Sequence, residues 1–271
     1  MTLALGAPLS GEDVSIFHTQ VAPRCRALFE ERFLEPMTLE EEAVVVHLGC
    51  RTGFHDEELV ARAGASTLVG LDASLDAIAL AASSAGAVEG RFGYHPSPLP
   101  SLFPEGAFSH AVSLYSLALQ GEDWAPLVQE AGRLLRPGGQ LLMAIPLRGS
   151  YLELLDLLRE HGEAIEDDDL LARINTLVVQ RPGLEQANEV LEDAGFYDVD
   201  IDLHRLKLDY ESGADLLLDP LFRLLFAPHL AALAPRGPGA AIEHLQVALQ
   251  RYWSSVSFEL SLNVGYLSAR R

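Results

Sequence analysis

The sequence predicts an α/β chain built on a doubly wound, mostly parallel seven-stranded sheet with helices on both faces. Three observations carry that expectation. Short apolar, β-branched runs alternate with helical periodicity between residues 43 and 146, at the spacing of βαβ units. Turns bearing glycine or proline separate them. Two late runs, Val199–Leu203 and Phe258–Tyr266, alternate apolar and polar residues as half-exposed strands do. The 271 residues, 49% hydrophobic and 21% charged, fit a globular chain, and a single domain over 1–271 is expected.

Residues 14–34 read as N-terminal helices. Ile16, Phe17, Val21, Cys25, Leu28, Phe29 and Phe33 recur at helical spacing, and Pro23 is expected to split the run in two. AVVVHL (Ala43 to Leu48) and TLVGLD (Thr67 to Asp72) read as strands buried on both faces. A helix from about Phe54 lies between them, and Ser74 is positioned as the N-cap of the next. A third strand is expected near Val88 to Phe92, a fourth from His110 to Tyr115 and a fifth from Leu141 to Pro146. The helix Trp124 to Leu135 should stop at RPGG, where glycine can take a left-handed cap. Residues 43–150 thus form the core unit. Residues 205–255, apolar and helical between the last two strands, are a candidate lid.

Composition excludes several function classes. There are 39 acidic and 19 basic residues, a net charge of −20. Such a surface repels phosphate backbones and anionic headgroups, so neither nucleic acid nor membrane is an expected partner. Between Glu153 and Asp219, 19 acidic residues face 5 basic ones. Acidity there disfavours a strongly anionic substrate unless Arg148, Arg205 or Arg223 faces the pocket. Cys25 and Cys50 form no CxxC pair and no Cys/His cluster, which argues against a disulfide scaffold or metal site and fits a cytoplasmic compartment. His18, His55, His161, His204, His229 and His244 lack ligand spacing.

The chemistry concentrates in VVVHLGCRTGF (Val44 to Phe54). Gly49 and Gly53 bracket a tight strand-to-helix turn whose backbone can approach a ligand. It is not the GxGxxG dinucleotide fingerprint. Asp72 closes the second strand, where a carboxylate can accept both hydroxyls of a ribose.

These blocks resemble the class I S-adenosylmethionine-dependent methyltransferases of the small-molecule type, which have a Rossmann-like fold. HLGCRTG (His47 to Gly53) is similar to the family's D-x-G-C-G-T-G and VGLDAS (Val69 to Ser74) to its second block. FSHAVSLYSLAL (Phe108 to Leu119) and RLLRPGGQLLMAIP (Arg133 to Pro146) are similar to those around strands four and five. The resemblance implies S-adenosylmethionine as cofactor and a small-molecule or carrier-bound substrate as methyl acceptor. Gly49 and Gly53 would cradle its methionine part, and Asp72 would hold the ribose. Ala73, Tyr94 and His95 would border the adenine, with Ser113 beneath. His47 stands where the family has Asp or Glu, Arg51 where it has the middle glycine, Ser109 where it has Asp, and no Asp follows Gly93. Arg51 could pair with the cofactor's carboxylate or fill its space. A sulfonium methyl is already activated, so no catalytic residue is required. If a base is needed, Tyr115 and His110 are the candidates. The departures keep a second expectation open, a non-catalytic binding or scaffold module with a protein partner.

Overall fold

A computed structural model describes residues 8–85, 91–96, 100–118, 124–234, 238–254 and 256–271. Seven strands form one sheet in the order β3-β2-β1-β4-β5-β7-β6: β1 Ala43–Leu48, β2 Ala65–Asp72, β3 Phe92–Pro96, β4 Phe108–Ser113, β5 Leu135–Pro146, β6 Tyr197–Tyr210 and β7 Phe258–Arg270. Strands β1 to β5 pair in parallel, whereas β7 runs antiparallel to both β5 and β6. The two late strands pair with each other, and β7 also joins the sheet.

Side chains alternate across the central strands, and both faces are covered. Val45, Leu68, Val112 and Leu142 pack with the N-terminal helical segment and the late helices. Val46, Leu71, Ala111 and Met143 pack with the helix Trp124–Leu134 and the helix Leu184–Asp193 on the other face. A parallel strand buried on both faces needs a continuous apolar run, and β1 and β2 supply one.

Four sequence expectations are corrected. Pro23 does not split the N-terminal segment. Helix continues over residues 12–34, with π-helical turns at Phe17–Val21 and Arg26–Glu30 on either side of the α-helical turn that contains Pro23. Pro23 stands in the first positions of that turn, where its missing N–H is tolerated. The third strand is Phe92–Pro96 rather than Val88 to Phe92, and Val88 lies outside the described residues. RPGG does not cap a helix. Strand β5 begins at Leu135, and the register to β4 slips between Phe108 and His110, so Arg136 to Gly139 bulge out of the ladder. The insertion between the last strands starts later than residue 205, because β6 extends to Tyr210. Its helices lie within residues 213–252.

Candidate functional site

The C-terminal ends of β1, β2 and β4 meet at the Gly49–Gly53 turn. Gly49 and Gly53 have φ of 71° and 66°, as a tight turn between β1 and the helix Asp56–Ala63 requires. Gly49 N and Cys50 N donate to Leu71 O at 2.7 and 3.1 Å, tying the turn to the end of β2.

Asp72 is fully buried at that end. Its Oδ2 accepts from Arg51 N at 3.0 Å and its Oδ1 from Ser74 N at 2.9 Å. Arg51 Nη1 lies 3.9 Å from Asp72 Oδ1, and its guanidinium lies 6.0 Å from the Phe17 ring centroid. Arg51 is only 2% exposed and sits at φ 51°, a left-handed conformation favoured by the glycine usual at this position. The Arg51 side chain thus turns toward Asp72. The N-terminal segment covers this arrangement: Ser74 Oγ donates to Leu9 O, Gly11 N donates to Asp76 Oδ2 at 3.1 Å, and His18 Nδ1 meets Thr52 Oγ1 at 3.0 Å. Ser74 also caps the helix Leu75–Ser84 through Ala77 N, as its position predicts.

The remaining sequence candidates disperse. His47 is buried, and its Nδ1 bonds Asp56 Oδ1 at 2.6 Å on the helix-covered face of β1. Tyr94 packs beside Asp56 and Gly70. Its hydroxyl donates to Asp56 Oδ2 at 2.8 Å, and its ring lies so close over Gly70 that a Cβ there would meet Tyr94 Cδ1 at 2.6 Å. Gly53 has the same neighbour, since a Cβ on it would meet Tyr94 Oη at 2.8 Å. His95 is exposed at the end of β3, edge-on to Phe103. Ala73 is half-buried beside Asp72. Ser113 spends its hydroxyl on Leu48 O at 2.8 Å, bridging β4 to β1. Asp72, Arg51, Gly49, Ala73 and Ser113 therefore share the strand-end region, while His47, Gly53 and Tyr94 gather around Asp56.

Sequence spacing did not reveal a second buried cluster. His55 joins Glu30 through Nδ1 and Tyr115 through Nε2, the latter at 2.8 Å. Tyr115 Oη donates to Nε2 and Nδ1–H donates to the Glu30 carboxylate in the arrangement that satisfies all three groups. Burial holds the His55 imidazole below its ordinary range, against the upward pull of Glu30. Burial would raise Glu30, but His55 and Arg26 hold it below the usual carboxylate range. Burial also pushes the Tyr115 and Cys50 hydroxyl and thiol well up, so both stay protonated. His110, the other candidate base, faces away: its Nε2 donates to Thr38 O at 2.9 Å. Among the described residues no group of three or more His, Cys, Asp or Glu side chains could hold a metal ion. No described helix is long and apolar enough to cross a membrane.

Comparison with known proteins agrees with this architecture. Residues 45–139 match the family described as a methyltransferase domain. No curated protein matches the chain. Among solved structures it is similar to YcgJ of Bacillus subtilis (TM-score 0.58, 14% identity, 89% of this chain and 97% of that one). It is also similar to phosphoethanolamine N-methyltransferase 2 of Haemonchus contortus, solved with phosphomonomethylethanolamine and S-adenosylhomocysteine (TM-score 0.54, 17% identity, 96% of this chain and 57% of that one). A third similar structure is the [4+2]-cyclase SpnF (TM-score 0.52, 20% identity, 98% and 97%). Sheet order, the reversed β7 and the glycine turn on β1 define the class I methyltransferase fold. The match at residues 45–139 and this fold are what the chain shares with methyltransferases.

Proposed function

We propose that this protein is an S-adenosylmethionine-dependent methyltransferase acting on a small organic acceptor. The observation that carries the reading is Asp72: a carboxylate at the end of β2, beside the glycine turn of β1, in contact with two backbone N–H groups of the adjoining loops. An acid there is suited to two ribose hydroxyls. The residues fit the cofactor in kind, with Asp72 to hold the ribose and Gly49 to keep the turn close. In the closed arrangement Arg51 lies on Asp72, so binding requires Arg51 to release it and segment 9–18 to move.

The cofactor, when bound, supplies an electrophilic methyl group. The chain's own contribution is to align the acceptor and exclude water. Phe17, stacked edge-on against Tyr115 at 5.2 Å, and the insertion residues Phe222 and Phe226 belong to one apolar cluster that lines the strand-end region. A proton leaving an oxygen or nitrogen acceptor can be taken by Tyr115 Oη as the phenol passes its own proton to His55 Nε2, with Glu30 stabilising the imidazolium.

Asp72 buried beneath Arg51 favours a second reading, a methyltransferase-like binding module without catalysis. The fold alone does not choose, since it is shared with a protein described as a cyclase. Calorimetric titration with S-adenosylmethionine decides. Micromolar affinity that Asp72→Asn weakens at least tenfold supports the enzyme, and absence of binding to the native chain supports the module.

A further inference from the structure

Arg181 is one of only five basic residues among the 19 acidic ones of residues 153–219, yet it pairs with none of them. It follows the helix Asp168–Gln180 and is 5% exposed. Among the described residues no carboxylate lies within ion-pairing distance of its guanidinium. Nη1 donates to Ser150 O, and the guanidinium carbon stands 4.8 Å from the Tyr151 ring centroid. Among the described residues neither Arg181 Nε nor the hydroxyl of Tyr151, itself 5% exposed, has a hydrogen-bond partner, and both atoms are buried. A buried guanidinium cannot shed its proton to escape the desolvation cost, so it needs an anion to offset it.

The position of the pair is informative. Ser150 and Tyr151 follow the C-terminal end of β5, the edge on which Asp72 and Tyr115 lie. Ser116, in the turn after β4, donates to Ala144 O of β5 at 2.7 Å and joins the two regions. Tyr151 contacts Phe226 of the insertion at 5.1 Å, within an apolar cluster that also holds Phe222 and Leu225. Its backbone is held at φ 62°, a left-handed conformation that a bulky residue adopts only when its surroundings impose it. The three arginines that the sequence offered for an anion are placed otherwise or uncommitted. Arg148 donates to Gln186 Oε1 at 2.7 Å, and Arg205 donates to Asn263 Oδ1 at 3.2 Å.

We propose that Arg181 and Tyr151 form an anchoring subsite for the carboxylate of the methyl acceptor, an organic acid with an apolar body. The planar guanidinium offers two parallel N–H donors to a carboxylate, and the Tyr151 hydroxyl offers a third. Phe222, Leu225 and Phe226 face the hydrocarbon part, and entry of the acid parts the insertion from Tyr151. The anchored carboxylate is a handle, distinct from the atom that receives the methyl.

The word acceptor rests on the methyltransferase reading, but the binding test contains no cofactor, so either can fail alone. Octanoate and 1-octanol are titrated into the full chain by calorimetry at equal ionic strength. Octanoate is expected to bind at least tenfold more tightly than octanol. Arg181→Gln should abolish that preference, Arg181→Lys should reduce it, and Tyr151→Phe should weaken octanoate about threefold while leaving octanol unchanged. Equal binding of the two probes to the native chain, no octanoate binding, or a preference that survives Arg181→Gln in a folded variant overturns the proposal. If Arg181→Gln does not fold, the native comparison and Tyr151→Phe still decide.

Discussion

Arg51 lies on Asp72 where the two strand-end loops converge, its backbone N–H 3.0 Å from one carboxylate oxygen and its guanidinium 3.9 Å from the other. The chain thereby places a charge of its own against the carboxylate that the methyltransferase reading assigns to a ribose. Arg51 and a ligand compete for one acceptor, so Arg51→Gly should tighten S-adenosylmethionine binding about tenfold by calorimetry, the φ of 51° being free for glycine. Equal or weaker binding would show that Arg51 assists the cofactor.

Removing Asp72 has the converse effect on the empty protein. Asp72→Ala deprives Arg51 N and Ser74 N of their buried acceptor, removes the carboxylate 3.9 Å from the Arg51 guanidinium, and should cost about 3–5 kcal/mol of stability. In the double variant Arg51→Gly/Asp72→Ala part of that loss should return, because no guanidinium then lies beside the lost carboxylate. Chemical denaturation of the four proteins measures the coupling. Simple additivity would show that the two residues do not interact.

Acid should unfold the protein through the Glu30–His55 pair. Burial holds His55 below its ordinary value of 6.5, so its contribution is fully present above that pH and is lost as pH falls through the folded value. Glu30 is held below 4.5 by His55 and Arg26, and its contribution is likewise lost on further acidification. The melting temperature should fall steadily from pH 7 to pH 4, and His55→Gln should flatten the upper part of that curve. A melting temperature that rises below pH 6.5 would contradict the buried neutral imidazole.

Gly70 is a packing requirement that spacing alone did not expose. A Cβ would meet Tyr94 Cδ1 at 2.6 Å and Cys50 Sγ at 2.8 Å. Gly70→Ala should therefore cost about 1–3 kcal/mol by overpacking. Adding Tyr94→Leu should recover part of the loss, provided that the Asp56 contact it removes is the smaller term. Urea midpoints of the single and double variants test this.

The insertion is fastened to the N-terminal segment through Asp219. It pairs with Arg24, accepts from Tyr210 Oη at 2.7 Å and takes Leu221 N at 3.0 Å on its other oxygen. Asp219→Ala strands three donors and should destabilise the protein by about 2–4 kcal/mol. Limited proteolysis should then cut within residues 213–252 first, whereas uniform protection would show that the helices hold without this contact.

The sheet was legible because βαβ alternation and apolar runs such as AVVVHL fix where parallel strands must be buried. Boundaries were less so. Gly138 can be read as a helix cap, but the antiparallel neighbour β7 draws residues 135–139 into a bulged ladder, with Gly138 N donating to Arg271 O. At the site, Asp72 and the glycine turn were legible from position and residue type. The roles of His47, Gly53 and Tyr94 were not, because their common partner, Asp56, reads in sequence as an ordinary first-turn helix charge. Arg181 was hidden for a different reason: only the structure shows that a cation in an acidic stretch has no acid beside it.

The π-helical turns around Pro23 bear on why a run of spacing four can be a buried stripe. Phe17, Val21, Cys25, Phe29 and Phe33 are all at most 3% exposed. On a uniform α-helix of 3.6 residues per turn, each step of four residues advances the direction by about 40°, so the last would point roughly 160° from the first. The wider turns at Phe17–Val21 and Arg26–Glu30 absorb that drift and return each side chain to one heading. The segment carries its own phase correction, and its length matters as much as its composition.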